Sequence, residues 1–198
     1  MEIGIKFKCS WIEGAPLPTE KIKEINYWRK KIYLLNLIGK GKDGVGFGNI
    51  SQRYRNDEFI ISGAATGLVE STTNEHFSTV TSFDIMMNSL NCRGPIIASS
   101  EAMTHGVVYR LNGNINAVVH VHHHELWKKC LGKMPTTQAD VEYGTPAMAL
   151  EIVRLYKESD FAKNKMLVMA GHQDGLLSFG NNLREASEVV INLMKALL

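Results

Sequence analysis

The chain has few cysteines and few prolines, and no cysteine stands near another. Cys9, Cys92 and Cys130 are the only three among 198 residues, and they form no Cys-x-x-Cys spacing. Their odd number and wide separation exclude a disulfide framework, which is built from cysteine pairs in an oxidising compartment. A chain of this length buries roughly 70% of the surface of its unfolded state, so it can fold without cross-links. We expect a reduced, cytoplasmic protein.

Long apolar runs and an excess of one charge are also missing. No apolar run approaches the roughly 18 residues of a membrane span, and the N-terminal segment lacks the apolar core of a signal peptide. The 22 basic and 20 acidic residues nearly balance, giving a formal charge of +2. That balance argues against binding to nucleic acid or to a membrane surface. The sequence therefore predicts a soluble protein whose partners are small molecules.

Helical and strand-like segments alternate along the chain, which predicts a single α/β layered domain over residues 1–198. The first helix is predicted after Pro18, with Thr19 as its N-cap, glycines 39 and 41 ending it, and the basic residues 29–31 on its solvated face. Residues 68–92 show weak periodicity and give no prediction. The other predicted elements are a glycine-rich turn entering a strand over 44–54, strands over 59–62, 95–98, 165–170 and 175–179, a helix over 101–111 capped by Ser100, helices over 123–131 and 146–158, and a C-terminal helix opened by Asn182.

The segment Ala117–His122 is the most informative part of the chain. It is a β-branched run in which two histidines stand two residues apart. Because side chains alternate along a strand, His120 and His122 share one face while the valines point to the other. Neutral imidazole is the commonest protein ligand for zinc-like ions, so this face predicts a metal site.

A metal site needs at least one more ligand, and the sequence offers several. Glu101 stands upstream and His172 downstream, each within a distinctive local motif. His122 and His124 also stand two apart, but the apolar alternation continues only through His122, which favours the pair 120 and 122. The run of histidines from 120 to 124 is also compatible with a basic surface cluster.

A series of short motifs follows along the chain, in the order Gly48-Asn49-Ile50-Ser51, Thr66-Gly67, Ser99-Ser100-Glu101 with His105, Val119-His120-Val121-His122, a histidine-containing turn before Gly175, and Asn182-Leu183-Arg184-Glu185-Ala186. Together these motifs resemble the class II aldolase and adducin-head family, over residues 20–198. The family's fold is a central mixed β-sheet covered by helices on both faces, assembled as a four-fold tetramer with the active site near a subunit boundary. The resemblance therefore implies a homotetramer.

The resemblance also implies a chemistry. Sugar-phosphate aldolases of this family cleave a ketose 1-phosphate into dihydroxyacetone phosphate and an aldehyde. By resemblance His120 and His122 bind a divalent metal, usually zinc, with a histidine near 172 as third ligand, and Glu101 is the acid/base. The phosphate-binding residues that the resemblance implies are Asn49, Ser51, Thr66, Gly67, Ser99 and Ser100. Local roles compete with these assignments: turn hydrogen bonds for Asn49 and Ser51, a helix cap for Ser99-Ser100, and a first-turn carboxylate for Glu101.

The chain departs from the family pattern in two places. In the histidine-containing turn before Gly175, family members carry the sequence His-His-Gly. In this chain Gln173 and Asp174 precede Gly175. Either His172 reaches the ion or Asp174 takes its place, and we favour His172 because imidazole-rich zinc sites are common. The segment before Tyr143 is also short, which leaves the aromatic proton donor to Tyr143 or to a residue of another subunit.

Three functions are compatible with these features. The first is a metal-dependent lyase that cleaves a small phosphorylated ketose. The second keeps the metal but dehydrates a methylthioribulose-phosphate-like substrate or epimerises a pentulose phosphate. The third is a non-catalytic binding module like the adducin head, against which the intact His120, His122 and Glu101 argue.

Overall fold

The computed structural model describes residues 4–42 and 44–198 of the chain. Residues 1–3, part of the N-terminal stretch in which the sequence predicts no signal peptide, lie outside the described residues. The elements in chain order are β1 Lys8–Glu13, α1 Thr19–Leu34, β2 Gly39–Lys40, β3 Gly46–Phe47, β4 Asn49–Arg55, β5 Glu58–Ser62, β6 Phe77–Asp84, β7 Ser89–Gly94, α2 Ala102–Leu111, β8 Ala117–His122, α3 His124–Cys130, α4 Pro146–Glu158, α5 Phe161–Asn164, β9 Met166–Val168, β10 Gly175–Gly180 and α6 Leu183–Leu197.

Eight of the strands form one sheet, in the order β1-β7-β6-β5-β4-β8-β10-β9. The edge strand β1 runs parallel to β7, whereas the other neighbours are antiparallel, so the sheet is mixed. Strand β8 lies inside the sheet between β4 and β10. Strands β2 and β3 form a separate short hairpin.

Two hydrophobic cores lie on opposite faces of this sheet. One contains buried residues of α2, α4 and α5, and the other contains buried residues of α1, α3 and α6. Within β8, Val118 belongs to the first core while Val119 and Val121 belong to the second, as strand alternation requires. The predicted mixed sheet with helices on both faces is therefore confirmed.

The first helix differs from its prediction at both ends. Pro18 occupies the N-cap position and no side chain caps the helix, so the prediction of Thr19 as N-cap is wrong. The helix ends at Leu34, and the chain turns through Asn36 at a φ of 56°. Its basic stretch is not uniformly solvated either, because Arg29 is only 1% exposed.

The unpredicted residues 68–92 contain the long strand β6 and most of β7, which pair as a hairpin near one edge of the sheet. The predicted strand over 95–98 is absent from the described structure: Ala98 makes only an isolated bridge to Gly63. In the C-terminal half, Pro146 opens α4 and the Asn182 side chain caps α6 by accepting from the Glu185 N–H, both as predicted. Within the described ranges, no helix combines the length and apolar character needed to cross a membrane.

Candidate metal centre

Strand β8 presents His120 and His122 on the face of the first core. His120 pairs with Leu177 of β10 on one side and with Asn49 of β4 on the other. It is 1% exposed, and its ring contacts His122, His172 and the Leu176 carbonyl. Two ordered neighbouring strands therefore fix the direction of this imidazole, as the sequence predicts for a rigid strand.

His172 reaches the same place from the turn between β9 and β10. The turn is closed by a hydrogen bond from the Gly175 N–H to the His172 carbonyl at 2.9 Å. At Gly171 a Cβ would stand 2.0 Å from the carbonyl oxygen of Val141, so the segment before α4 packs directly on this turn. These contacts hold His172 over the end of β8 although 50 residues separate it from His122.

The three imidazoles converge through their Nε2 atoms. The Nε2 atom of His122 lies 3.0 Å from that of His120 and 3.0 Å from that of His172. Ligand atoms of the three residues all lie within 4.8 Å of one another. In a tetrahedral zinc site with Zn–N bonds of about 2.05 Å, neighbouring ligand nitrogens are about 3.3 Å apart. The cluster therefore fits one small cation.

Burial keeps these histidines in the neutral form that a metal requires. It lowers the pKa of His122 to about 4 and that of His172 to about 3, and it lowers the pKa of His120 far below its ordinary value. His120 Nδ1 lies 3.2 Å from the Leu176 carbonyl, so the ring proton sits on Nδ1 and donates there. The Nε2 lone pair of His120 is then free to bind a cation.

The other candidate metal ligands make hydrogen bonds outside the cluster. His123 caps α3, where its Nδ1 accepts from the Leu126 N–H. His124 Nδ1 lies 2.8 Å from Asp174 Oδ1, so these two side chains pair with each other. The structure thus brings together His120, His122 and His172, and it places His124 and Asp174 in a separate pair at the protein surface.

Glu101 stands beside the cluster. Its Oε1 atom lies 3.6 Å from His172 Nε2, the side chain is 3% exposed, and neither carboxyl oxygen makes a hydrogen bond to a described residue. Burial raises the pKa of Glu101 to about 7, so the group exchanges a proton near neutrality. Glu101 itself is the N-cap of α2, and no side chain caps this helix, so the predicted capping by Ser100 is wrong.

The residues of the predicted phosphate site lie on three segments, which are strand β4 with Asn49, the 3-10 turn Thr66–Leu68 and the segment before α2 with Ser99 and Ser100. Asn49 is the neighbour of His120 across the sheet. The turn that carries Thr66 and Gly67 begins next to the Ser99–Ser100 segment, because the Ala64 N–H donates to the Ile97 carbonyl. Gly67 is required by close packing, since a Cβ there would stand 2.7 Å from the backbone of Phe47.

Ser51 is placed differently from its prediction. Its side chain is completely buried, and its Oγ lies 2.7 Å from both His105 Nδ1 and Tyr109 Oη. Both hydrogen bonds connect β4 to α2. The hydroxyl therefore supports the wall behind the site and does not face a ligand.

Tyr143 packs on His172 and Lys6 packs on Tyr143, and the sequence predicts neither contact. The centroid of the Tyr143 ring lies 4.2 Å from that of the His172 ring. Lys6 Nζ lies 4.0 Å from the centroid of the Tyr143 ring. Lys6 also pairs with Glu142 at 3.0 Å. Tyr143 appears in the sequence only as a possible proton donor, and no local pattern marks Lys6, since tertiary packing alone brings the N-terminal segment here.

Comparison with known proteins gives a consistent result. The model of the Class II Aldolase and Adducin N-terminal domain family matches residues 33–197. Curated protein sequences give no match. Similar solved structures include an L-fuculose 1-phosphate aldolase (TM-score 0.67, 21% identity, covering 91% of this chain and 86% of that one) and a sugar-phosphate aldolase from Thermotoga maritima (0.69, 16%, 90% and 92%). A third, YgbL from Klebsiella pneumoniae, is described as a candidate aldolase, epimerase or decarboxylase (0.66, 18%, 91% and 88%). At these identities the likeness establishes the fold.

Proposed function

The chain belongs to the class II aldolase and adducin N-terminal domain family, and on this premise we propose that it is a metal-dependent lyase. Its reaction is the cleavage of a small phosphorylated ketose into dihydroxyacetone phosphate and an aldehyde. The observation that carries the proposal is the cluster of His120, His122 and His172 with the buried carboxyl of Glu101 3.6 Å from His172 and without a hydrogen bond to a described residue.

His120, His122 and His172 would hold the metal, and zinc is the cation that we propose. Three imidazole nitrogens with an open fourth position are typical of catalytic zinc sites. When bound, the cation would stabilise the negative charge that develops on the substrate oxygens during carbon–carbon cleavage. No lysine Schiff base is then needed.

Glu101 would move the proton. Cleavage removes one proton from the hydroxyl that becomes the aldehyde carbonyl and adds one to the carbon of the dihydroxyacetone phosphate fragment, so the reaction is neutral in protons, and we assign the transfer to carbon to Glu101. A carboxyl group with a pKa near neutrality holds that proton and regains one in the reverse direction. The burial of Glu101 also excludes bulk water as a competing acid.

The turns around the cluster would bind the phosphate group. We assign this role to Asn49, Thr66, Gly67, Ser99 and Ser100, and we leave Ser51 out because its hydroxyl is completely buried between His105 and Tyr109 of α2. The Thr66 hydroxyl donates to the Gly63 carbonyl and would exchange that bond for the phosphate, whereas the Ser99 hydroxyl accepts from the Glu101 N–H and keeps its own proton to donate. Amide and hydroxyl donors of this kind bind a dianion without a basic cluster. By family resemblance we further propose a homotetramer.

Product analysis tests the reaction. Zinc-loaded protein is incubated with a panel of ketose 1-phosphates, dihydroxyacetone phosphate is measured by enzymatic reduction with NADH, and the aldehyde is trapped as a hydrazone. Two carbonyl fragments in equal amounts support the proposal. A product one water lighter identifies a dehydratase, and an isomer of unchanged mass identifies an epimerase. The zinc-free protein serves as the control.

A binding module like the adducin head is the remaining alternative. It has no use for three convergent imidazoles and a carboxyl group with a pKa raised by burial. Complete absence of turnover over the whole panel, in protein with full zinc occupancy, would favour that alternative.

A further inference from the structure

Arg29 is buried although it lies in the basic stretch of α1. The side chain is 1% exposed, and its guanidinium donates from Nη2 to the Thr66 carbonyl at 2.6 Å and from Nη1 to the Glu70 carbonyl at 3.1 Å. The ring of Tyr33 lies 5.2 Å from Cζ. Because one rigid fork donates to both ends of the 66–70 segment, it fixes this segment against the helix.

The charge of Arg29 has no counter-charge in the described part of the chain. None of the ion pairs found there includes Arg29. Burial lowers the pKa of Arg29 to about 10, so the group remains charged at neutral pH. A buried charge is costly unless an opposite charge stands near it. The neighbouring Lys30 contrasts with it, since Lys30 is exposed and pairs with Glu70 at 3.2 Å.

The turn that Arg29 holds carries two residues of the candidate phosphate site. Thr66 accepts the shorter of the two hydrogen bonds from Arg29, and Gly67 follows it in the same turn. The other side chains assigned to the phosphate, those of Asn49, Ser99 and Ser100, are uncharged. A dianion in this site therefore has Arg29 as the cation behind the turn that binds it.

We propose that Arg29 is a positioning residue of the phosphate site: it holds the Thr66–Gly67 turn from behind, and its buried charge attracts the phosphate group of the substrate. The inference rests on the proposed function, because it assumes that this turn binds phosphate. It adds a cation to a site that otherwise consists of neutral donors.

The test measures the binding of inorganic phosphate to the zinc-loaded protein by isothermal titration calorimetry at constant ionic strength. Arg29→Gln removes the charge but keeps a donor for the Thr66 carbonyl, and Arg29→Lys keeps the charge. We expect Arg29→Gln to weaken phosphate binding about tenfold or more, and Arg29→Lys to retain it within about threefold. Lys30→Met, which removes an exposed cation from the same helix, is the matched control and should change binding less than about twofold.

Zinc content and melting temperature of each variant separate a local effect from misfolding. Equal phosphate binding by Arg29→Gln and the wild type overturns the inference about Arg29 but leaves the proposed phosphate site intact. An equal loss of binding in Arg29→Gln and Arg29→Lys has the same meaning. If Arg29→Gln does not fold, Arg29→Lys decides, since a tenfold loss there also overturns the inference. A wild-type protein that binds no phosphate, or binds it only on the metal as shown by the visible spectrum of the cobalt(II) form, overturns the proposed phosphate site together with this inference.

Discussion

Gly175 and His172 are so close that any side chain at Gly175 would collide with the imidazole. A Cβ there would stand 2.9 Å from His172 Cδ2, 2.8 Å from the His172 carbonyl oxygen and 3.2 Å from His120 Cε1. The missing side chain allows the rings of His120 and His172 to stack, with centroids 5.1 Å apart and planes inclined by 23°. The glycine is thus a structural requirement of the histidine cluster.

Gly175→Ala should weaken zinc binding, because the new methyl group pushes His172 away from the other two ligands. We expect an affinity about tenfold to a hundredfold lower, the range found when groups that orient metal ligands are changed. Competition with a chromogenic chelator measures it. Gly113→Ala is the control, since no described residue other than its chain neighbours has an atom within 4 Å of a Cβ at that position. Unchanged zinc affinity in Gly175→Ala would contradict this view of the turn.

Replacing His120 by alanine should remove most of the bound metal, which elemental analysis of the purified protein measures. We expect about one divalent ion per chain in the wild type and much less than that in His120→Ala, because two imidazoles alone bind zinc weakly. His124→Ala is the matched control. Its ring contacts Asp174 and lies outside the cluster, so this variant should keep its metal.

The third ligand is tested in the same way with His172→Ala and Asp174→Asn. Asparagine is chosen because residue 174 has a φ of 65°, which asparagine tolerates better than alanine does. We expect metal loss in His172→Ala alone. Loss in Asp174→Asn with retention in His172→Ala would reverse the ligand assignment.

Glu101→Gln separates a catalytic carboxyl from a structural one. Glutamine keeps the size of the side chain but cannot exchange a proton near neutral pH, so turnover should fall 10²–10⁴-fold, about 3–5 kcal/mol in activation free energy. Zinc content and melting temperature should remain near those of the wild type. Glu142→Gln removes the exposed carboxylate that pairs with Lys6 and should cost less than about threefold in rate. Wild-type turnover in zinc-loaded Glu101→Gln would remove the proposed role.

Glu151 should stabilise the fold in a pH-dependent way. Its carboxylate accepts hydrogen bonds from Arg154, at 2.7 and 2.9 Å, and from the Gln138 N–H at 3.0 Å. The Arg154 bonds lower the pKa of Glu151 below its ordinary value. The stabilisation is therefore complete above the unfolded pKa of roughly 4.3 and is lost as the pH falls through the lower folded pKa.

At pH 7 we expect Glu151→Gln to lower the free energy of unfolding by about 1 kcal/mol, and the difference from the wild type should shrink below pH 4. Urea unfolding at matched pH values measures both. Glu158→Gln is the control, because Glu158 is the more distant and exposed carboxylate partner of Arg154, at 3.5 Å. A difference that persists unchanged at pH 3 would show that charge is not its source.

Light scattering tests the proposed homotetramer. We expect a mass of about 88 kDa, four times the 22.1 kDa of the chain. A mass equal to one chain at assay concentrations would contradict the proposal.

The sequence predicted those parts of the site that strand periodicity determines. His120 and His122 share a face because side chains alternate along β8, where β4 and β10 both pair with His120 and β10 pairs with His122. The position of His172 beside His120 and His122 follows from a family motif and not from local sequence. Its turn is placed by the close packing of Gly171 on the Val141 carbonyl, which no local pattern predicts.

Two differences from the sequence predictions have a common cause, which is burial decided by distant segments. The basic stretch of α1 predicts a solvated Arg29, yet the 66–70 segment covers it. Ser51 belongs to a motif associated with phosphate binding, but α2 engages its hydroxyl. The strands β6 and β7 are a separate case: they lie near the edge of the sheet, where several of their side chains remain exposed.

The two faces of β8 tolerate different substitutions. Val119 and Val121 face a core in which volume and shape decide the packing, so other apolar residues can replace them when neighbouring side chains compensate. His120 and His122, one residue away in each case, supply donor atoms that no repacking replaces. Substitutions on one face therefore change thermal stability, and substitutions on the other change the chemistry of the site. Arg29 belongs to both, because it lies on α1, which packs in the core of Val119 and Val121, and it donates to the turn of the proposed phosphate site.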